Sequence, residues 1–137
     1  MTPLSLVTGA TGFLGSHLAR LLTARGERVR VLARRSSSLR RLDGVPHELA
    51  LGDITDRSSV EAALRGVDRV FHSAALYELG TKDAARMDRI NVLGTENVLG
   101  AAHALGLPAV HVSSVVALGP TGKALADESH WSGTRPR

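Results

Sequence analysis

The chain has 137 residues, 43% hydrophobic and 22% charged, with a formal net charge of +4 and no cysteine. That length suits one domain with a real core, and the missing cysteines exclude disulfides and thiolate metal sites. No apolar run approaches the ~20 residues of a membrane helix and no basic leader precedes the first strand, so a cytoplasmic protein with no membrane partner is expected.

The charge comes from fifteen arginines against two lysines. A basic excess is one mark of nucleic-acid binding. Here the residues are dispersed, except for Arg34, Arg35, Arg40 and Arg41, and no interleaved aromatics offer stacking platforms for bases. A small anionic ligand accounts for that cluster better, and no nucleic-acid partner is expected.

In chain order, Leu4, Leu6 and Val7 give a short apolar run that meets Gly9-Ala10-Thr11-Gly12-Phe13-Leu14-Gly15. Phe13, Leu14, His17, Leu18, Leu21 and Leu22 then recur at helical intervals, and Gly26 is a plausible stop. A strand turning sharply into a helix through three glycines presents free amides to an anion, aided by the helix dipole. The competing reading is a tight turn of structural value alone. Val29 to Leu32 begins a second strand, and Ser36-Ser37-Ser38 lies in the loop after it. Residues 48–51, 69–72 and 109–113 read as further strands, with helices over 58–65 and about 83–105. The pattern predicts an α/β class, a Rossmann-type doubly wound parallel sheet of order 3-2-1-4-5. Its ligand crevice lies at the carboxyl ends of strands one and four. The whole chain, 1–137, reads as one incomplete dinucleotide-binding domain, with 120–137 as an irregular tail.

Five segments carry a family resemblance. They are Thr8 to Gly15, Gly52-Asp53-Ile54, Val70-Phe71-His72-Ser73-Ala74-Ala75, Asn91-Val92-Leu93-Gly94-Thr95-Glu96-Asn97-Val98, and Val112-Ser113-Ser114-Val115-Val116-Ala117-Leu118-Gly119. In this order and spacing the chain resembles the amino-terminal part of an extended short-chain dehydrogenase/reductase of the NAD-dependent epimerase/dehydratase family. Within that family it is most similar to the dihydroflavonol reductase-like and sugar epimerase-like branch.

The resemblance implies that Gly9, Thr11, Gly12, Phe13, Leu14 and Gly15 hold the pyrophosphate of NAD or NADP. It also implies that Asp53 accepts a hydrogen bond from the adenine while Ile54 covers the ring. Asp53 could instead cap the next helix, although Asp56 is better placed for that. Ala74 and Ala75 are small, which suits either a ribose passing over them or tight packing. Asn91 falls beside a stripe of Met87, Ile90, Gly94, Val98 and Ala101, and a supporting role is expected of it. Where an acid would grip the ribose of NAD, the chain has Ala33 followed by Arg34 and Arg35, which favours NADP. The alternative there is a solvated basic turn.

Ser114 has the placement of the family's catalytic serine, with Ser113 beside it as its near rival and as an expected cofactor contact. The family's Tyr-x-x-x-Lys partner is absent. Tyr77 has Thr81 four residues on, Lys82 is one residue out of register, and Lys123 has no tyrosine before it in that frame. A phenol of unperturbed pKa ~10 needs such a cation to act near neutrality. The expected function is therefore the dinucleotide-binding part of a reductase or epimerase acting on a sugar-nucleotide or small carbonyl substrate, inactive as this chain. A dinucleotide-responsive regulator resembling the NmrA-like proteins is the alternative. A structural or interaction role without cofactor is the third reading. The histidines lack metal-ligand spacing, so no metal site is expected. An uncovered fifth strand makes a homo-oligomer the expected state.

Overall fold

A computed structural model describes residues 1–77, 83–122 and 125–130. The five strands are β1 (Leu4–Thr8), β2 (Arg28–Ala33), β3 (Glu48–Leu51), β4 (Arg69–His72) and β5 (Ala109–His111). They form one parallel sheet in the order β3-β2-β1-β4-β5. The central strand β1 is buried at all five positions because helices cover both of its faces. Its register pairs Leu6 with Arg30 of β2 and with Val70 of β4.

The pleat divides the core into two layers. Leu4, Leu6, Val60, Leu64, Val70 and Val98 pack on one face, and Val7, Ala19, Leu22, Val29 and Val31 on the other. Helix α1 (Phe13–Ala24) covers the second face and ends as expected, with Gly26 at φ 80° just past its cap. Helix α2 (Arg57–Ala63) and the long helix after β4 cover the first.

That long helix departs from the expected uniform span. It runs as α3 (Ala84–Asp88), a π-helical turn (Arg89–Leu93) and α4 (Gly94–Ala104). Gly94, Val98 and Ala101 are buried as expected, whereas Met87 and Ile90 are half-buried. Strand β5 is shorter than the expected 109–113. Val112 still donates its amide to the His72 carbonyl at 2.9 Å, but the chain then leaves the ladder for a 3-10 turn, Val115–Leu118. Lys82, Lys123 and half of the expected tail, including Trp131 through Arg137, fall outside the described residues.

All three β5 residues are exposed, as are Val112, Val115 and Val116. Among the described residues β5 has β4 as its only sheet neighbour, so its far edge offers unpaired backbone next to apolar side chains. Such edges recruit other chains. Multi-angle light scattering at rising concentration is expected to show self-association, and a constant monomer mass would contradict it.

Candidate functional site

The site begins where β1 ends. Gly9 takes φ 73°, a left-handed conformation that favours glycine, and its carbonyl accepts the Gly12 amide at 2.9 Å. Two neighbouring backbones exploit the missing side chains. A Cβ on Gly9 would lie 2.6 Å from the Ala74 nitrogen, and one on Gly15 would lie 2.6 Å from the Gly9 carbonyl carbon. The turn is therefore clamped between the loop after β4 and the first turn of α1. At the start of α1, the cap residue Gly12 makes no side-chain cap bond and the first turn holds no acidic residue. Positive amide ends are left facing outward, as anion binding requires.

A cleft of about 220 Å³ opens over this turn. Gly9, Thr11 and Gly12 form one wall, and Leu32, Ala33, Arg34 and Ser37 after β2 form another. Gly52, Asp53 and Ile54 close the side after β3, and Ser73 through Leu76 with Ile90 close the side after β4. A second concavity shares Thr11 and is lined by Ser38, Arg40, Arg41 and Asp43. Its short 3-10 turn, Arg40–Leu42, is held by Arg20, whose guanidinium donates to the Arg41 and Asp43 carbonyls at 2.5 and 3.3 Å.

Eight of the predicted contacts, Gly9, Thr11, Gly12, Arg34, Asp53, Ile54, Ala74 and Ala75, thus come together around one opening. Asp53 Oδ1 accepts from the Thr55 amide and hydroxyl at 2.9 and 2.8 Å, leaving Oδ2 without a partner among the described residues. Capping of α2 falls to Asp56, as expected. It accepts from the Ser58 amide and hydroxyl, and the Ser58 hydroxyl bond is the main cause holding its carboxyl below the usual range. Ile54 is only 8% exposed and packs under Gly94, so most of its side chain belongs to the core.

The other predicted contacts are placed differently. Phe13 and Leu14 are exposed on the outer face of α1, where Phe13 meets His17 edge-on at 4.7 Å. Gly15 is buried beneath the turn, and Arg35 lies outside the cleft lining. Ser113 and Ser114 are exposed beyond β5 and also outside it, and Ser114 Oγ accepts the Val116 amide at 3.3 Å. Tyr77 is exposed one residue past the Leu76 wall. No group of metal-ligating side chains occurs among the described residues.

Two polar devices lie behind the cleft, and their partners are invisible in sequence. Asn91, inside the π-helical turn, accepts the Leu76 amide at 2.7 Å and donates to the Leu76 carbonyl at 2.8 Å. One side chain thereby satisfies both backbone groups of a residue in the cleft wall, which gives its supporting role a concrete form. Deeper in, His72 is fully buried and bonds Thr8 Oγ1 through Nδ1 at 2.6 Å and Thr95 Oγ1 through Nε2 at 3.0 Å. Burial, then the nearby His111 ring stacked 5.1 Å away, pushes its pKa down to about 4. The sequence places His72 on a strand and does not decide between a packed and a surface role. Its threonine partners are 64 and 23 residues away, so only the fold could pair them.

Comparison with known proteins agrees with this geometry. The sequence model of the NAD dependent epimerase/dehydratase family matches residues 5–136. Sterol demethylase protein B of Methylococcus capsulatus is 43% identical over 93% of this chain, and the putative dihydroflavonol 4-reductase of Synechocystis sp. is 41% identical over 92%. The chain spans 39% and 37% of their lengths. UDP-glucose 4-epimerase from Brucella ovis, solved with NAD, superposes with a TM-score of 0.82 at 26% identity, over 95% of this chain and 41% of that one.

Proposed function

The chain belongs to the NAD-dependent epimerase/dehydratase family, and from that premise we propose that it is a dinucleotide-binding domain with a preference for NADP over NAD. The observation that carries this reading is the cradle itself. An uncapped α1 amino terminus stands over Gly9 and Gly12, which line the cleft with backbone alone, as close approach of a pyrophosphate requires. Asp53 Oδ2 and the adjoining wall after β3 suit the adenine end, and Ala74 and Ala75 suit a ribose passing over β4.

The preference for NADP rests on charge. Ala33 supplies no carboxylate for a ribose diol, and Arg34 lines the cleft. Arg40 and Arg41 line the concavity that shares Thr11 with it. A 2′-phosphate placed there would meet guanidinium groups able to bind it through paired hydrogen bonds. In parallel calorimetric titrations NADPH is expected to bind at least ~10-fold more tightly than NADH, a difference of ~1.4 kcal/mol. Arg34→Ala should erase most of that gap, and equal affinities in the unmodified protein would overturn the assignment.

When bound, the nicotinamide cofactor would supply hydride transfer. That Ser114 caps a turn and Tyr77 stands exposed supports reading the described residues as a holder for that cofactor. In a full-length relative, the reading places this domain in an oxidoreductase or epimerase acting on a sugar-nucleotide or small carbonyl substrate.

A further inference from the structure

A buried histidine is costly unless both ring nitrogens are satisfied, and a leucine or valine would fill a strand position more cheaply. His72 must therefore be judged by what its two bonds connect. Nδ1 meets Thr8, the last residue of β1 before the glycine turn, and Nε2 meets Thr95, in the first turn of α4. Thr8 Oγ1 also accepts the Ala74 amide at 3.3 Å, and the Thr8 carbonyl accepts the Ser73 hydroxyl at 2.8 Å. Ala74 is the residue whose nitrogen lies against Gly9. The chain of bonds thus runs from the helix, through the sheet, to the two walls of the cleft.

Donor counting fixes its polarity. Among the described residues Thr8 Oγ1 has one hydroxyl proton and no acceptor for it other than His72 Nδ1. If Nδ1 carried the ring proton, the threonine hydrogen would be buried without a partner. The arrangement that satisfies every group has Ala74 N–H donating to Thr8, the Thr8 hydroxyl donating to Nδ1, and Nε2–H donating to Thr95. Among the described residues the remaining titratable neighbour is His111, which is stacked on the ring, and no carboxylate bonds to either nitrogen.

We propose that Thr95, His72, Thr8 and Ala74 form a positioning relay in which α4 sets the spacing between the glycine turn and the loop after β4, and with it the dinucleotide affinity of the cleft. The inference rests on the dinucleotide-binding reading above, but the relay itself is a property of the free protein. His72 is a positioning residue here, buried behind the cleft and acting through Thr8.

The test has two arms on the full chain. In the ligand-free protein, long-range proton–nitrogen NMR of the His72 ring is expected to show a protonated Nε2 and a bare Nδ1. Thr8→Val is expected to speed exchange of the Ala74 amide, and Thr8→Ser to restore its protection. In the second arm, NADPH affinity should fall about tenfold in Thr8→Val, recover in Thr8→Ser, and fall little further when Thr8→Val is added to His72→Phe, because the two act through one chain. A protonated Nδ1, or unchanged Ala74 exchange in Thr8→Val, would overturn the relay. If Thr8→Val bound NADPH like the unmodified protein, the coupling to affinity would be overturned while the bonds stood. Absence of binding in the unmodified protein would remove the parent reading and the affinity claim together, and the first arm would still judge the bonds.

Discussion

Gly9→Ala is expected to destabilise the fold by ~3 kcal/mol or more, read as a shift of the urea unfolding midpoint. Two penalties combine at this position. The left-handed φ of 73° costs a non-glycine residue on the order of 1 kcal/mol. The added Cβ would also sit 2.6 Å from the Ala74 nitrogen and 2.7 Å from the Ser73 carbonyl carbon. Both obstacles are main chain, fixed by the bonds of Ser73 and Ala74 to Thr8, so relief requires β1 and β4 to part. Gly26 separates the terms, because it has φ 80° but nothing within 4 Å of its Cβ position. Gly26→Ala should cost only ~1 kcal/mol. Equal costs at the two positions would show that close approach to β4 contributes nothing.

Acid should weaken the protein through His72. The ring is neutral and bonded in the folded state, where its pKa is pushed down to about 4 from an ordinary value of 6.5. Between those values the unfolded chain binds a proton that the folded chain does not, so stability rises with pH across that window. Acidification from pH ~6.5 to ~4.5 is therefore expected to remove roughly 2 to 3 kcal/mol. Glu48, held low chiefly by its bond to Arg30, and Asp56 lose their contributions at lower pH, as falling pH passes through their depressed values. The upper part of the profile therefore reports the histidine. His72→Gln should flatten stability above pH ~4.5 while lowering it at neutrality. An unchanged slope in that variant would assign the acid sensitivity elsewhere.

The elements nearest the centre of the sheet were the most legible. Leu4, Leu6 and Val7 announce β1 because both faces of that strand are buried, and the order of apolar runs and helical segments suffices for the winding. Legibility falls toward β5, where Val112 continues the apolar alternation of Val110 although the strand ends at His111. The π-helical turn at Arg89–Leu93 has no sequence period of its own, and its value emerges only when Asn91 meets Leu76 fifteen residues earlier.

The candidate site was legible where backbone dictates it and less so where side chains do. Gly9, Gly12 and Gly15 signal close approach once the apolar run before them and the helical period after them are read with their spacing, and Asp56 outranks Asp53 as a cap by position. Phe13 and Leu14 look like site residues because they sit in the motif, yet their side chains lie on the solvent face of α1. What the motif requires there is amide groups at a helix start, which any residue supplies. The relay through His72 joins β1, β4 and α4 and has no local signature.

The most direct test of a dinucleotide cradle at the glycine turn is calorimetric titration of NADPH into the unmodified protein and into Gly12→Ala. Gly12 lines the cleft, and a Cβ on it would meet only the Gly9 carbonyl oxygen, at 3.2 Å. Binding to the unmodified protein, weakened at least ~10-fold in Gly12→Ala with thermal stability kept within ~1 kcal/mol, is the predicted result. No binding in the unmodified protein, or equal binding in both, would contradict it.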